Sequence, residues 1–439
     1  VTAGDTAGIV VVGASLAGLR GAEALRRNGY AGRLTIVGDE PHRPYDRPPL
    51  SKHVLSGELA PDATGLPELV AHDARWRLGH AAVALDREAR AITLADGTRL
   101  AYERLLIATG AQARPWPAAS GGRLQNVFTL RSRDDAARLR TALAGAPRRV
   151  LIVGAGLIGC EAASCCRDLG LPVTLVDPNP TPLARSLGTW VGGVLVDCLR
   201  DAGVTFQAGA QVLRFEGDAS GRVVRAQLAD GRAVEADLVI VALGATRATD
   251  WLADAGLMAD SRGVTCDGAC RVLRADGTPC PDIYAAGDVA RWPNALCGDR
   301  LMSVEHWGNA VAQSAQAARN MLAAAEDQQT YRHLPAFWSS QFGINIKAVG
   351  ANAGADAVAI VQGTRASRRF LAVYGRAGRS IGAVSFDQAR WLPAYAEAVA
   401  EGRAFPPIEE ATDQGTFLAH VPGFPPARAT FHPIGVRHG

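Results

Sequence analysis

The sequence predicts an α/β protein with two parallel-sheet domains and a smaller C-terminal α+β domain. Three observations carry this. An apolar run that breaks into a glycine turn and then an amphipathic stretch occurs twice, from residue 9 and from residue 148; this reads as strand, tight turn, helix. Each copy is followed by a second apolar run ending in an acid, at 33–40 and 172–179, as the next strand of a parallel unit would be. Residues 368–400 alternate apolar and polar and then take a helical period, a hairpin followed by a helix. At 439 residues the chain is longer than one core needs, so two or three domains are expected.

Composition narrows the function classes. A chain 48% hydrophobic and 20% charged is an ordinary globular protein. A net charge of +3 leaves no electrostatic footprint for nucleic acid or a membrane surface. No apolar stretch is long enough to span a bilayer and no charged-then-apolar leader opens the sequence, so a cytoplasmic location is expected. The eight cysteines do not make a disulfide scaffold in a chain this long. Their spacings match no zinc or iron–sulfur pattern, so no metal site is expected and any cluster belongs to a partner. Of 46 basic residues only Lys52 and Lys347 are lysines. Where arginine is the default cation, a lysine marks a place for a compact ammonium.

The first motif, "IVVVGASLAG" (9–18), holds Gly13, Ser15 and Gly18, with Leu16 and Ala17 opening the helix. Ser15 stands where G-x-G-x-x-G has its middle glycine. The run "RLTIVGDE" (33–40) ends in Asp39 and Glu40. Such glycines let the backbone approach a pyrophosphate, the helix N-terminus receives its charge, and the acid holds a ribose hydroxyl. The second motif, "RRVLIVGAGLIGCEAASCCRDLG" (148–170), is complete: Gly154, Gly156 and Gly159, with Leu157 and Ile158 at the helix start. "PVTLVDPN" (172–179) ends in Asp177, an acid that favours NAD over NADP; Arg185 is the nearby residue a 2′-phosphate would prefer. Two Rossmann-like dinucleotide-binding domains in one chain suggest a flavin and a nicotinamide, because hydride passes between them.

Two further segments fit. "RLLIATGA" (104–111) is a strand ending in the small-residue turn Ala108-Thr109-Gly110. "PDIYAAGDVARWPN" (281–294) is a strand running into Gly287-Asp288 and a helix start. The Asp288 carboxylate can accept hydrogen bonds from ribityl hydroxyls, and the small residues before it leave room. Cys160 and Cys165 flank the acid Glu161, but they lie five apart on a helix, off one another's face, and do not read as a redox disulfide.

Together these motifs resemble the FAD-dependent, NADH-oxidising ferredoxin reductases of oxygenase and cytochrome P450 systems, the putidaredoxin-reductase-like and biphenyl-dioxygenase-reductase-like group. The resemblance rests on "PYDRPPLSK" (44–52), "ATGA" (108–111), "GAGLIGCEAA" (154–163), "IYAAGDVARWPN" (283–294), "VEHWGNA" (304–310) and "FWSSQFG" (337–343), in the family's order and over about residues 8–390. It implies a glutathione-reductase-like arrangement: an FAD domain from 5–115 and 246–328, an NAD domain at 116–245, a C-terminal reductase domain at 329–405 and a proline-rich tail at 406–439. The tail is expected to be extended, packed over the body or mobile.

The resemblance also implies roles. FAD would be held by the first motif with Asp39 and Glu40, by Arg47, Pro49 and Lys52, by Val83, by Ala108 to Gly110, by Arg131, by Gly287 and Asp288, and by Glu305, His306 and Trp307. NADH would be held by the second motif with Glu161, Asp177, Arg185 and Gly244. Lys52 and Glu161 would form a catalytic pair that orients the nicotinamide and places positive charge beside the flavin. The alternative is an ion pair that is only structural. Trp338 would lie on the electron exit route.

Where glutathione-reductase-like relatives carry flavin-facing cysteines, this chain has Pro48, Pro49, Leu50, Ser51 and Lys52. The expected activity is therefore electron transfer from NADH through FAD to an acidic [2Fe–2S] ferredoxin, by a monomer or weak homodimer. An excess of basic over acidic residues in 331–439, with Arg365, Arg368, Arg369, Arg376 and Arg379 close in sequence, would steer such a partner. The rivals are an NADH oxidase or disulfide/peroxide reductase, and a non-catalytic FAD/NADH redox sensor resembling apoptosis-inducing factor. Departures from the family are Ser340 in place of aspartate, "ATRATD" (245–250) in place of a proline-asparagine pair, and a longer loop at 268–282.

Overall fold

The computed structural model describes residues 7–70, 73–407, 412–414 and 418–425. They divide into two compact units, one from 7–46, 65–112 and 246–337, the other from 47–64, 113–245 and 338–425. Of the proline-rich tail, 408–411, 415–417 and 426–439 lie outside the described residues.

The first unit is built on a parallel core. Strand Gly8–Val12 pairs in parallel with Leu34–Val37 on one side and Arg99–Ile107 on the other. Arg75–Arg77 extends the sheet beyond Leu34–Val37, and Pro279–Ala285 followed by Arg271–Leu273 extends it beyond Arg99–Ile107. The Val/Ile/Leu runs of the central strands are buried throughout, as strands covered on both faces must be. Helices Leu16–Arg27 and Trp307–Leu322 pack together where Gly21 removes a side chain: a Cβ there would sit 2.6 Å from Leu106 Cδ2 and 3.5 Å from Ser314 Cβ. The helix expected to start at Gly287-Asp288 is a single 3₁₀ turn, Gly287–Val289, and the chain continues as strand Ala290–Asn294. Ala290, Trp292 and Asn294 are buried at alternate positions, so the strand period overrides the helix-like start.

The second unit has a five-stranded sheet in the order Thr205–Ala208, Val173–Asp177, Val150–Val153, Leu238–Val241, Val127–Thr129, parallel throughout. Helices Arg133–Ala144, Leu157–Asp168 and Ala184–Asp201 belong to it. The turns Pro48–Ser51 and His53–Ser56 pack against the first two of these helices. The C-terminal part is a five-stranded sheet with Ala336–Gln341 and Ala357–Thr364 at its edges. The expected hairpin is Arg369–Arg376 with Arg379–Phe386, and the expected helix is Leu392–Glu401. Tail residues Thr412, Asp413, Gln414 and His420 bond along the edge strand Ala357–Thr364. The main-chain pair of His420 with Val358 and the side-chain bonds of Thr412, Asp413 and Gln414 occupy edge groups that would otherwise be open.

Candidate functional site

The two glycine motifs fold almost identically, and their geometry explains the missing middle glycine. Gly13 and Gly154 have φ of 124° and 106°, a region that disfavours any side chain. A Cβ on either would lie 2.0 Å from Ala108 O or 2.4 Å from Ala242 O. The third glycines are as strict: a Cβ on Gly18 would sit 1.8 Å from Gly13 O, and one on Gly159 would sit 1.9 Å from Gly154 O. The middle positions differ. Ser15 is extended (φ −117°), Gly156 has φ −77°, and a Cβ on Gly156 would meet nothing within 4 Å. The fold therefore accepts a serine there, and Ser15 leaves the first cradle intact.

In the first unit, Glu40 is half-buried and accepts a hydrogen bond from the Tyr45 hydroxyl at 2.5 Å, while Asp39 is exposed. Ala108 to Gly110 follow the strand Arg99–Ile107, and the Thr109 hydroxyl donates to Ala248 O at 2.8 Å. Gly287 (φ 78°) approaches Ala17, where a Cβ would come to 2.9 Å of its methyl. Trp307 donates its ring N–H to Asp46 at 2.9 Å, and Glu305 pairs with Arg247 at 2.7 Å. Val83 is exposed on strand Ala82–Asp86. The cradle fits a dinucleotide: backbone approaches closely at three glycines, the helix Leu16–Arg27 opens onto the turn, and the buried Gln313 Nε2 and His306 Nδ1 have no partner.

Gln313 escaped the sequence reading. Its Oε1 accepts from Gly287 N at 2.9 Å and fixes the turn. It belongs to a buried polar stripe on one face of the helix Trp307–Leu322: Asn309, Gln313, Gln316 and Asn320. The 4-3-4 spacing of amides was the available signal, because an apolar stripe is what a packed helix normally shows.

His306 is pushed down to about 4 by burial, against the raising effect of Asp288 and with a further lowering from His333. The folded protein keeps this imidazole neutral where the unfolded chain, near 6.5, takes up a proton. Stability from His306 is thus present above about 6.5 and is lost as pH falls toward 4. Denaturant unfolding of the flavin-free protein at several pH values should show that decline, and His306→Gln should flatten it. A decline just as steep in His306→Gln would place its source elsewhere.

The second unit holds Arg47, Pro49, Lys52 and Arg131 together with the second glycine motif. Arg47 donates to Arg131 O at 2.8 Å. Lys52 and Glu161 do meet: Nζ lies 2.6 Å from Oε2 and 3.3 Å from Pro48 O. Glu161 is 4% exposed, and such a carboxylate needs more than one donor. Ser51 Oγ donates to Oε2 at 2.5 Å and Ser339 Oγ donates to Oε1 at 2.6 Å. Ser339 in turn accepts from Gln341 Nε2 at 3.1 Å. Both serines adjoin residues the sequence singled out, Lys52 and Trp338, yet a hydroxyl carries no pattern of its own.

Asp177 is buried, and its oxygens serve the loop: Oδ2 accepts from Ala155 N at 2.6 Å, and Oδ1 accepts from Asn179 N and Nδ2 at 2.7 Å. Leu157, Ile158 and Arg185 are partly or well exposed around the loop, and Gly244 (φ 80°) accepts from Arg114 N. Trp338 is 45% exposed. The five arginines do not form one patch. Arg365 lies over the Trp190 ring, Arg368 pairs with Asp201 at 2.6 Å, and Arg379 donates to Gly402 O. Arg369 and Arg376 stand at opposite ends of one strand, about 23 Å apart at the rise of an extended chain.

All eight cysteines are free, and seven are buried. Burial pushes the Cys165 thiol up to about 12 and raises Cys160 and Cys166 as well. The Cys160 and Cys165 thiols donate to the carbonyls of Ala155 and Lys52. An aromatic disulfide reagent should find at most Cys297 in the native protein and all eight thiols in denaturant; fast native reaction at more than one site would contradict this burial. Among the described residues no group of three or more His, Cys, Asp or Glu could hold a metal ion, and no helix is long and apolar enough to cross a membrane.

Residues 7–314 match the family described as pyridine nucleotide-disulphide oxidoreductase, and 336–421 match the reductase C-terminal family. The chain belongs to the pyridine nucleotide-disulphide oxidoreductase family. It is an NADH-dependent FAD oxidoreductase of the ferredoxin–NAD(+) reductase group within it. It is 39% identical over 360 residues to the biphenyl dioxygenase system ferredoxin–NAD(+) reductase component of Paraburkholderia xenovorans, covering 80% of this chain and 83% of that protein. Among solved structures it resembles the ferredoxin reductase for the CYP199A2 system from Rhodopseudomonas palustris, at 31% identity and a TM-score of 0.83, over 91% of this chain and 96% of that one. It also resembles a covalent putidaredoxin reductase–putidaredoxin complex, at 30% identity and a TM-score of 0.83, over 91% and 94% of the two chains.

Proposed function

We propose that the protein is a ferredoxin reductase that takes hydride from NADH onto FAD and passes single electrons to a [2Fe–2S] ferredoxin serving an oxygenase or cytochrome P450. One observation carries the reading: the Lys52–Glu161 pair is joined at 2.6 Å in a loop that has no thiol. With every cysteine free and those around Glu161 raised by burial, electrons from NADH have no disulfide to rest on and must leave for a partner. The names of the relatives support a ferredoxin as that partner.

FAD, when bound, supplies the conversion of a hydride pair into two single electrons. The first cradle with Glu40, Asp288 and Trp307 would hold it. The Gly154–Gly159 loop would take the NADH pyrophosphate at the start of its helix. Lys52, fixed by Glu161 and Pro48 O, lends a positive charge that has no need to reorganise as negative charge develops. Ser51 and Ser339 stop the Glu161 carboxylate from turning away. Trp338 is the proposed electron exit, on a monomer or weak homodimer.

Steady-state oxidation of NADH and NADPH, with and without a panel of [2Fe–2S] ferredoxins feeding cytochrome c, tests the proposal. Fast turnover that needs both NADH and a ferredoxin is expected. Equal turnover on oxygen alone would mark an oxidase, and slow turnover with a long-lived charge-transfer complex would mark a redox sensor; either overturns the reading.

A further inference from the structure

The helix Ala184–Asp201 is broken. Gly188, at φ 70° and ψ 167°, is not helical, so N–H groups after it and carbonyls before it lose their intrahelical partners. All four partners found in their place come from the C-terminal part of the chain. Asn352 Nδ2 donates to Ser186 O at 3.1 Å, and the Tyr374 hydroxyl donates to Leu187 O at 2.7 Å. Thr189 N donates to Gly423 O at 2.9 Å, and Trp190 N donates to Pro422 O at 3.1 Å.

The tail segment is anchored for this purpose. His420 pairs with strand residue Val358 through two backbone bonds of 2.9 Å. Its ring stacks on Trp190 at 4.3 Å, and Phe424 lies 6.1 Å from the Tyr374 ring. The fit is close on both sides: a Cβ on Gly188 would meet Pro422 O at 2.3 Å, and one on Gly423 would meet Thr189 Oγ1 at 2.0 Å.

The broken helix starts at the dinucleotide loop. Leu183, its N-cap, is buried in a left-handed conformation (φ 52°) and donates to Ala155 O at 2.9 Å. Ala155 lies between Gly154 and Gly156 and is held from its other side by Asp177. A path thus runs from the tail's bonds at Thr189 and Trp190, through the covalent turn at Gly188, to the short segment 184–187, whose carbonyls Asn352 and Tyr374 hold, and on through Leu183 to the glycine loop.

We propose that residues 418–425 form a strap that positions the pyridine-nucleotide loop: by capping the break at Gly188 they hold Leu183 against Ala155 and keep the loop in its binding conformation. The strap touches no reacting atom, so its loss should weaken nucleotide binding and leave the chemical step alone. This rests on the reading that the Gly154–Gly159 loop binds NADH.

The test compares the full chain with a truncation after Phe417 and with the milder Gly423→Ala. Calorimetry gives the Kd of NAD⁺ for the oxidised holoprotein, and steady-state kinetics separate KM for NADH from kcat. The expected result is a rise of about fivefold or more in Kd and KM for both variants, with flavin content and kcat at saturating NADH held within about twofold. Val421→Ala, an exposed change inside the segment, should match the full chain. Unchanged Kd and KM in either folded variant overturn the strap. So does a loss of flavin, kcat and melting temperature with KM unmoved, because that is a merely structural role. Gly159→Val keeps the two readings apart: if it leaves the NAD⁺ Kd unchanged, the loop assignment fails, whereas if it abolishes binding while truncation is neutral, only the strap fails.

Discussion

Replacing Lys52 with methionine should slow flavin reduction by NADH tenfold or more, which corresponds to about 1.4 kcal/mol of barrier. Methionine keeps an unbranched apolar stem in the loop and removes the ammonium that lies 2.6 Å from Glu161. The variant should still fold, because Ser51 and Ser339 continue to donate to the carboxylate. It should be less stable, since a buried charge that loses its partner is costly. Combining Lys52→Met with Glu161→Gln separates the two consequences. The double change removes the orphaned charge and should recover stability, while the reduction rate stays low. Anaerobic stopped-flow mixing with NADH is the measurement. A rate unchanged in Lys52→Met would leave the pair structural.

Gly18→Val should give a protein that purifies without FAD, and Gly159→Val one that binds FAD but not NAD⁺. A side chain at either place meets a carbonyl oxygen at under 2 Å, with backbone rather than a movable side chain on the other side. The turn must open, and the donors at the helix start then no longer converge on a pyrophosphate. Gly156→Ser is the control. It copies Ser15 of the first motif at a position where a Cβ meets nothing, so it should keep the fold and most NADH binding. Flavin content by absorbance and NAD⁺ affinity by calorimetry check all three. A yellow, fully active Gly18→Val would show that the first cradle is not where FAD is held.

The parallel strands, their glycine turns and the C-terminal hairpin were legible in the sequence because each is a local pattern of apolar period and backbone exception. Ser15 was legible as a departure, but its harmlessness was not: that depends on φ at one residue and on open space beside its counterpart Gly156. The Lys52–Glu161 pair could be anticipated from a lone lysine and an acid on the helix. Its hydroxyl supports could not, because Ser51 and Ser339 reach Glu161 across 110 and 178 residues of chain. Asp177 was expected to face a ribose; that its Oδ2 also accepts from Ala155 N could not be read from its spacing. The arginines near 365–379 looked like a patch in one dimension, but strand geometry spreads them, and Arg365, Arg368 and Arg379 are engaged by a ring, an ion pair and a carbonyl. The break at Gly188 left no mark beyond one glycine among many.

The central claim is that electrons enter as a pair and leave singly. It is tested most directly by mixing the holoprotein with limiting NADH and excess oxidised [2Fe–2S] ferredoxin under anaerobic conditions and counting reduced clusters by electron paramagnetic resonance. The account predicts about two reduced ferredoxins for each NADH consumed. NADH consumed with no reduced cluster, or no NADH consumed on the timescale of turnover, would contradict it.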